Sequence, residues 1–252
     1  MSSWNLLIVV GAVACIAAAV RLLRSTGAQS AFAIMGLASL ALCLTLNVKP
    51  IYLAIDPAIG GNNSLYLVVQ LTFVIAMFFL TSSFAPTRHP ITPGSLTSWS
   101  GVALATVTLA LVCILFSLAE MPTTAYRVEP YREEWQVLAF TQLVNVYSAG
   151  CAILVIRRAN ARVRVSPQPI MQRLGCSLVG VGFAIGLLTA IERLTLVGLT
   201  MTTRATALEG LDGALVVATC LSLVVGFALL FESNRQLARR GSPIPNASSM
   251  AL

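Results

Sequence analysis

The chain has 252 residues, of which 57% are hydrophobic and only 10% are charged, and its mean hydropathy is +0.86. A soluble domain usually carries about a quarter charged residues, so this composition excludes most soluble enzymes and binding modules. The formal net charge of +7 does not indicate nucleic-acid binding, because basic residues in membrane proteins collect in cytoplasmic loops. We therefore expect an integral membrane protein that contacts the lipid bilayer and no nucleic acid.

Seven runs of about twenty apolar residues follow one another along the chain. Roughly 20 helical residues cross a hydrocarbon core of about 30 Å, and a bilayer accepts only elements that satisfy their own backbone hydrogen bonds. The pattern predicts an all-α, polytopic bundle of seven transmembrane helices in residues 1–232. A short tail, 233–252, is expected to be disordered in the cytoplasm. The predicted spans are about 5–23, 31–48, 65–82, 101–119, 135–156, 174–195 and 210–231.

The charges between these runs predict the orientation of the bundle. One side holds a single acid, Glu232, and eleven basic residues: Arg21, Arg24, Arg88, Arg157, Arg158, Arg162, Arg164, Arg173, Arg235, Arg239 and Arg240. The other side holds five basic residues, Lys49, Arg127, Arg132, Arg193 and Arg204, with the remaining eight acids. The positive-inside rule therefore places the N-terminus outside and the C-terminus inside, most simply in a bacterial plasma membrane.

The most distinctive stretch is the first predicted outer loop, residues 50–64. Residues 51–55 are expected to form a short interfacial helix with Tyr52 at headgroup depth, and Pro57 is expected to end it. Asn63 or Ser64 is expected to cap the third span. The alternative is a lid over an outward-facing cavity, with Asp56 as its polar contact.

This loop and its flanks carry a resemblance. Residues 47–52 (Asn-Val-Lys-Pro-Ile-Tyr), Ile55-Asp56 and residues 63–65 (Asn-Ser-Leu) resemble a family of actinobacterial seven-helix membrane proteins. Its members are commonly labelled transporters, without an established substrate or mechanism. The resemblance implies the seven-span layout and favours transport. Members often have a histidine where this chain has Gln70, so no histidine chemistry is carried over.

Polar residues inside two spans are candidates for lining a cavity. Span five carries Thr141, Asn145 and Ser148 on one helical stripe, with Gln142 beside them. Span three carries Tyr66 and Gln70 one turn apart. Such stripes either face a shared polar cavity among spans three, five, six and seven, or form hydrogen bonds between helices at ~0.6–2 kcal/mol each.

Charged residues near the outer ends of spans six and seven form a second candidate site. Glu192 and Arg193 lie near the outer end of span six, and Asp212 lies one turn into span seven. With Asp56, they are predicted to surround an outward vestibule.

The densest basic run, residues 157–164, lies in an expected cytoplasmic loop, residues 157–173. Its Arg157, Arg158, Arg162 and Arg164 are expected to bind anionic headgroups, or else an acidic cytoplasmic protein partner. Small-residue rows predict close packing of spans six and seven. They are Gly182, Gly186 and Ala190 on span six, and Ala214, Ala218, Ser222 and Gly226 on span seven.

Missing motifs argue against an enzyme and against any cofactor or metal. The sequence contains no HExxH, GxSxG or Walker-type motif, and its six cysteines fall singly in six apolar runs. Two functions stay open. The first is a transporter or facilitator of a small-molecule substrate, and the second is a membrane sensor, anchor or accessory subunit that acts through a cytoplasmic partner.

Overall fold

The computed structural model describes residues 3–23, 28–84, 99–131, 134–164, 168–196 and 205–239, and these contain helices and turns but no strand. The fold is therefore all-α across the described residues. Two short 3-10 turns, Asp56–Ile59 and Tyr126–Tyr131, lie between helices. The helices are α1 (Ser3–Leu22), α2 (Ala28–Leu46), α3 (Lys49–Ile55), α4 (Ser64–Ser83), α5 (Trp99–Leu118), α6 (Trp135–Arg164), α7 (Ile170–Leu196) and α8 (Ala205–Arg239).

Several of these helices are long and apolar enough to cross a bilayer, which makes the chain a membrane-embedded helical protein. Five segments meet that description among the described residues: Ser64–Ser83, Trp99–Leu118, Trp135–Arg164, Ile170–Leu194 and Ala214–Gln236. A sixth is obtained if Ser30–Leu46 and Lys49–Ile59, which meet at an 82° bend, count as one broken span. Residues Ile8–Leu22 of α1 form a shorter apolar helix.

Six of the long helices form a closed ring. The main packing contacts run from α1 to α2, then to α4, α6, α7 and α8, and from α8 back to α1. Helix α5 lies outside the ring against α4 and α6. Because it packs on one side only, many of its large apolar side chains are exposed for lipid contact, among them Val107, Leu111 and Ile114.

Glycines allow α7 and α8 to approach closely at Gly226, which belongs to a predicted small-residue row, and at Gly175, which does not. A β-carbon added to Gly226 would lie 2.7 Å from Val179 Cγ2 and 2.9 Å from the Val179 nitrogen. A β-carbon on Gly175 would lie 2.9 Å from the Gly226 carbonyl oxygen. Only glycine fits at these two positions without moving the helices apart.

The predicted loop at residues 157–173 is wrong over most of its length, because α6 continues to Arg164 and α7 begins at Ile170. The thirty residues of α6 extend about 45 Å, well beyond a hydrocarbon core of about 30 Å. The apolar run ends at Ile156, but good helix formers follow it, so the helix continues after the hydrophobic pattern stops.

Candidate functional site

The loop before α4 is built around the buried carboxylate of Asp56. Its Oδ1 accepts a hydrogen bond from the Leu65 backbone N–H at 2.7 Å, and its Oδ2 accepts one from the Asn63 N–H at 3.2 Å. The Thr124 hydroxyl donates a third, at 2.6 Å, to Oδ2. Asp56 is fully buried and has no ion-pair partner among the described residues. Its charge is therefore balanced by these donors and by the positive end of the α4 dipole.

Asn63 ties the same loop to the segment before α6. Its Oδ1 accepts hydrogen bonds from the Ala125 N–H at 2.8 Å and the Tyr52 hydroxyl at 3.3 Å. Its Nδ2 donates to the Thr123 carbonyl at 2.9 Å. Its own φ of 59° is the left-handed conformation, which asparagine tolerates better than most residues. Backbone geometry and side-chain bonds thus both require asparagine here.

Aromatic residues complete this connection. The Tyr126 hydroxyl donates to the Asn47 carbonyl at 2.9 Å, and its ring meets the Tyr52 ring edge-on at 5.6 Å. The Lys49 ammonium lies 5.7 Å from the Tyr126 ring centre. We call the assembly of residues 47–65 and 121–131 the loop cap. Its central residues include Asn47, Lys49, Tyr52, Asp56 and Asn63.

The loop cap corrects two sequence-based expectations. The short helix exists, as α3, and ends before Pro57, but the Tyr52 side chain is fully buried and does not face lipid headgroups. Asn63 occupies the N-cap position of α4 without making a side-chain capping bond, and Ser64 Oγ donates to the Gly61 carbonyl instead. The capping bonds come from Asp56, nine residues before Leu65. A distant cap of this kind has no local sequence signature.

A cavity of about 210 Å³ lies inside the six-helix ring. That volume is far larger than the ~10–15 Å³ that a single buried water needs. Five of the six predicted cavity residues line it: Tyr66, Gln70, Thr141, Asn145 and Ser148. The predicted spans three, five, six and seven correspond to α4, α6, α7 and α8, and each contributes to the lining. Helices α1 and α2 also contribute, through residues such as Ile8 and Leu40.

Three of the five predicted residues that line the cavity have polar groups available to a ligand. The Tyr66 hydroxyl, the Gln70 amide and the Thr141 hydroxyl make no hydrogen bond within the described part of the chain. Polar groups inside a membrane bundle normally pair with neighbouring helices, because lipid offers them no partner. These three instead face the cavity, where a solute or water would supply the missing bonds.

The other polar residues of the stripe are already paired. Asn145 Nδ2 donates to Gln142 Oε1 at 3.2 Å, and the Ser148 hydroxyl donates to the Asn145 carbonyl at 2.9 Å. Gln142 lies outside the lining and donates through Nε2 to the Arg193 carbonyl at 3.3 Å. It therefore joins α6 to α7 and orients Asn145.

The predicted outer vestibule does not form around Asp56. That carboxylate is enclosed in the loop cap, whereas Arg193 lines the cavity. Glu192 is half-buried on α7 and is not among the lining residues. Asp212 falls within α8, but its side chain lies outside the described residues.

The four arginines of the basic run divide into two pairs. Arg158 Nη1 donates to the Thr81 carbonyl at 3.4 Å, and Arg162 Nη2 donates to the Phe84 carbonyl at 3.3 Å. These side chains satisfy carbonyls at the C-terminal end of α4, where the helix dipole favours positive charge. Arg157 and Arg164 are exposed instead and stay available to lipid or to a partner.

Several lining residues were missed because their pattern was interpreted as helix packing alone. Gly182, Gly186 and Ala190 line the cavity, and Thr189 lies beside them. A β-carbon on Gly186 would meet only Thr219 Cγ2, at 3.9 Å. The absence of a side chain at Gly186 therefore contributes open space to the cavity. The sequence signal for this lining was the row of small residues on α7, which leads towards Arg193.

Comparison with known proteins gives no match from which the site could be interpreted. No family model, curated protein or solved structure matches the chain. No group of three or more histidine, cysteine or acidic side chains that could hold a metal ion occurs among the described residues. The free polar groups of the cavity are therefore the most specific chemical feature described.

Proposed function

We propose that this protein is a seven-span transporter or facilitator that binds a small solute in the cavity of the six-helix ring. The observation that carries the proposal is the set of polar groups on Tyr66, Gln70 and Thr141, which line one cavity and have no hydrogen-bond partner among the described residues. Polar side chains inside a membrane bundle are costly unless they serve packing or function, and these three polar groups have no hydrogen-bond partner among the described residues. The resemblance carried by the loop-cap residues favours the same function.

The proposed topology has the N-terminus outside and the C-terminus in the cytoplasm of a bacterium. The loop charges support this orientation. The ring supports seven spans, because α1 and α2 belong to it beside helices that are long and apolar enough to cross a bilayer. With this orientation, the loop cap lies on the outer side and Arg157 and Arg164 lie in the cytoplasm.

The experiment is native mass spectrometry of the protein in nanodiscs prepared from its own host. We expect a reproducible small-molecule adduct on the wild type that is lost or strongly reduced in Gln70→Ala and Asn145→Ala. Thr72→Val is the matched control, because Thr72 bonds only to the Val68 carbonyl of its own helix and does not line the cavity. An adduct that survives in both cavity variants would contradict the proposal.

The second candidate is a sensor or accessory subunit that acts through a cytoplasmic partner. The exposed Arg157 and Arg164 at the end of α6 favour it, since both project beyond the apolar part of the helix. A stoichiometric protein partner in the same mass spectra, without a small-molecule adduct, would support this function over transport. Loss of that partner in the double variant Arg157→Ala/Arg164→Ala would show that the partner binds at these two arginines.

A further inference from the structure

The cavity has two chemically different ends. At one end, near the loop cap, Tyr66 of α4 packs on Phe140 of α6, with ring centres 5.9 Å apart. Towards the other end, Arg158 of α6 reaches the Thr81 carbonyl of α4. The two helices therefore run in the same direction along the cavity, and residue number on either helix measures depth from the loop cap.

Polar residues collect near the loop cap and apolar residues collect away from it. Because Gln142 bonds to the Arg193 carbonyl, the end of α7 lies at the depth of the start of α6. The polar lining residues at the loop-cap end are Tyr66, Gln70, Thr141, Asn145, Thr189 and Arg193, and apolar residues such as Val69 and Val144 lie between them. We call this end the polar end. The apolar end consists of Met77, Leu80, Ala152, Phe183 and Leu223.

The cavity is long relative to a compact solute. Lining residues on α4 extend from Tyr66 to Leu80, fourteen residues, which corresponds to about 21 Å along the helix axis. A compact polar solute at the polar end would leave the apolar end filled with water or empty, and neither state is favourable. A ligand with an apolar tail would fill both ends.

Charge restricts the head group of such a ligand. Arg193 is the charged member of the lining, and no aspartate or glutamate of the described residues lines the cavity. A cationic head would have no described counter-charge, whereas an uncharged or anionic oxygen-bearing head would accept hydrogen bonds from Tyr66, Gln70 and Thr141.

We infer that the cavity binds a single-chain amphiphile, with an uncharged or anionic head at the polar end and its tail among Met77, Leu80 and Phe183. This inference rests on the proposed function and specifies its substrate class. It distinguishes the site from a path for compact polar solutes.

The test uses palmitic acid with a photoreactive diazirine at the end of its tail, added to the wild-type protein in nanodiscs. We expect crosslinks in the apolar end, on the peptides that contain Met77 and Phe183. Unlabelled palmitic acid and hexadecanol should displace the probe, and hexadecylamine should not. Gln70→Leu should weaken displacement by palmitic acid about fivefold, as the loss of one hydrogen bond in a buried site predicts.

A second variant tests the position of the tail separately from the fold. Ala152→Phe adds a ring at the apolar end, so shorter decanoic acid should displace the probe better than palmitic acid, reversing the wild-type order. Gly150→Phe is the matched control on the same helix, because a β-carbon there meets nothing within 4 Å and the residue is outside the lining. It should keep the wild-type order.

Three results would overturn the inference. Equal labelling of the cavity and of the lipid-facing residues of α5, without displacement, would mean that the probe only partitions into lipid. The fatty acid could also fail to label the cavity while a compact polar solute forms a cavity-dependent adduct. That result would overturn the amphiphile inference but leave the proposed function in place. The absence of any cavity-dependent ligand would overturn both the amphiphile inference and the proposed function.

Discussion

At the scale of single residues, Asp56 organises more of the described structure than any other charged side chain. It joins three chain segments through the Asn63 N–H, the Leu65 N–H and the Thr124 hydroxyl, all inside the protein. A buried carboxylate with several donors stabilises a structure only while those donors stay paired with it. The residue that the sequence suggested as a ligand contact is therefore a structural centre.

Removing this carboxylate should destabilise the protein markedly. Asp56→Ala leaves three donors without their partner, so we expect the free energy of unfolding to fall by about 3 kcal/mol. Thr124→Val removes one donor and should cost about 1 kcal/mol. The measurement is thermal unfolding in detergent, followed by a thiol-reactive dye that reports exposure of the buried cysteines Cys15 and Cys220. Thr72→Val is the matched control for Thr124→Val and should keep the wild-type melting temperature. A wild-type melting temperature for Asp56→Ala would disprove the capping role of Asp56.

The arginines at the end of α6 should differ in their effects on stability. Arg162 donates to the Phe84 carbonyl, and its guanidinium lies 4.9 Å from the Phe84 ring centre. Arg162→Ala should therefore lower the free energy of unfolding by about 1–2 kcal/mol. Arg157→Ala, on the exposed face of the same helix, should leave it unchanged. Equal melting temperatures for the two variants would contradict the assignment of Arg162 to the end of α4.

At the scale of helices, hydropathy located every long helix of the described residues but not where each one ends. The predicted spans overlap α1, α2, α4, α5, α6, α7 and α8, because hydrophobic runs of this length form helices wherever they are buried. The ends of α6 and α8 were missed, since both continue through charged residues. The Asp56 cap was missed because its partners are separated in sequence by up to 68 residues.

The close crossing of α7 and α8 predicts whether a glycine-to-alanine substitution raises or lowers the melting temperature. In an exposed helix, glycine to alanine stabilises by about 0.5–1 kcal/mol, because alanine has the higher helix propensity. Gly150→Ala should follow this rule, since its surroundings are open. Gly226→Ala should lower the melting temperature instead, because its β-carbon would meet the backbone of Val179. A stabilised Gly226→Ala protein would show that the helices do not pack as closely as described.

At the scale of the whole molecule, five of the six polar residues chosen from the sequence line one space, but the shape of that space was not predicted. The spacing of Thr141, Asn145 and Ser148 indicated one helix face, and all three do line the cavity. The participation of α1 and α2 follows from closure of the six-helix ring, which depends on contacts between distant parts of the chain. The apolar end was not predicted, because apolar residues inside a membrane helix look the same whether they face lipid, a neighbouring helix or a cavity.

The proposed orientation predicts the behaviour of reporter fusions. Green fluorescent protein joined to the C-terminus should fluoresce, and alkaline phosphatase joined there should be inactive. Alkaline phosphatase joined after residue 60, in the proposed outer connection, should be active. The opposite pattern would reverse the topology and place the loop cap in the cytoplasm.

The central claim is that the space inside the six-helix ring is a binding site. Gly186→Leu tests it most directly, because its new side chain has room only in the cavity and leaves every polar group of the lining in place. Native mass spectrometry should show that the small-molecule adduct is lost from this variant and retained by Gly150→Leu. An adduct that persists on Gly186→Leu at the wild-type level, in a protein with the wild-type melting temperature, would contradict the claim.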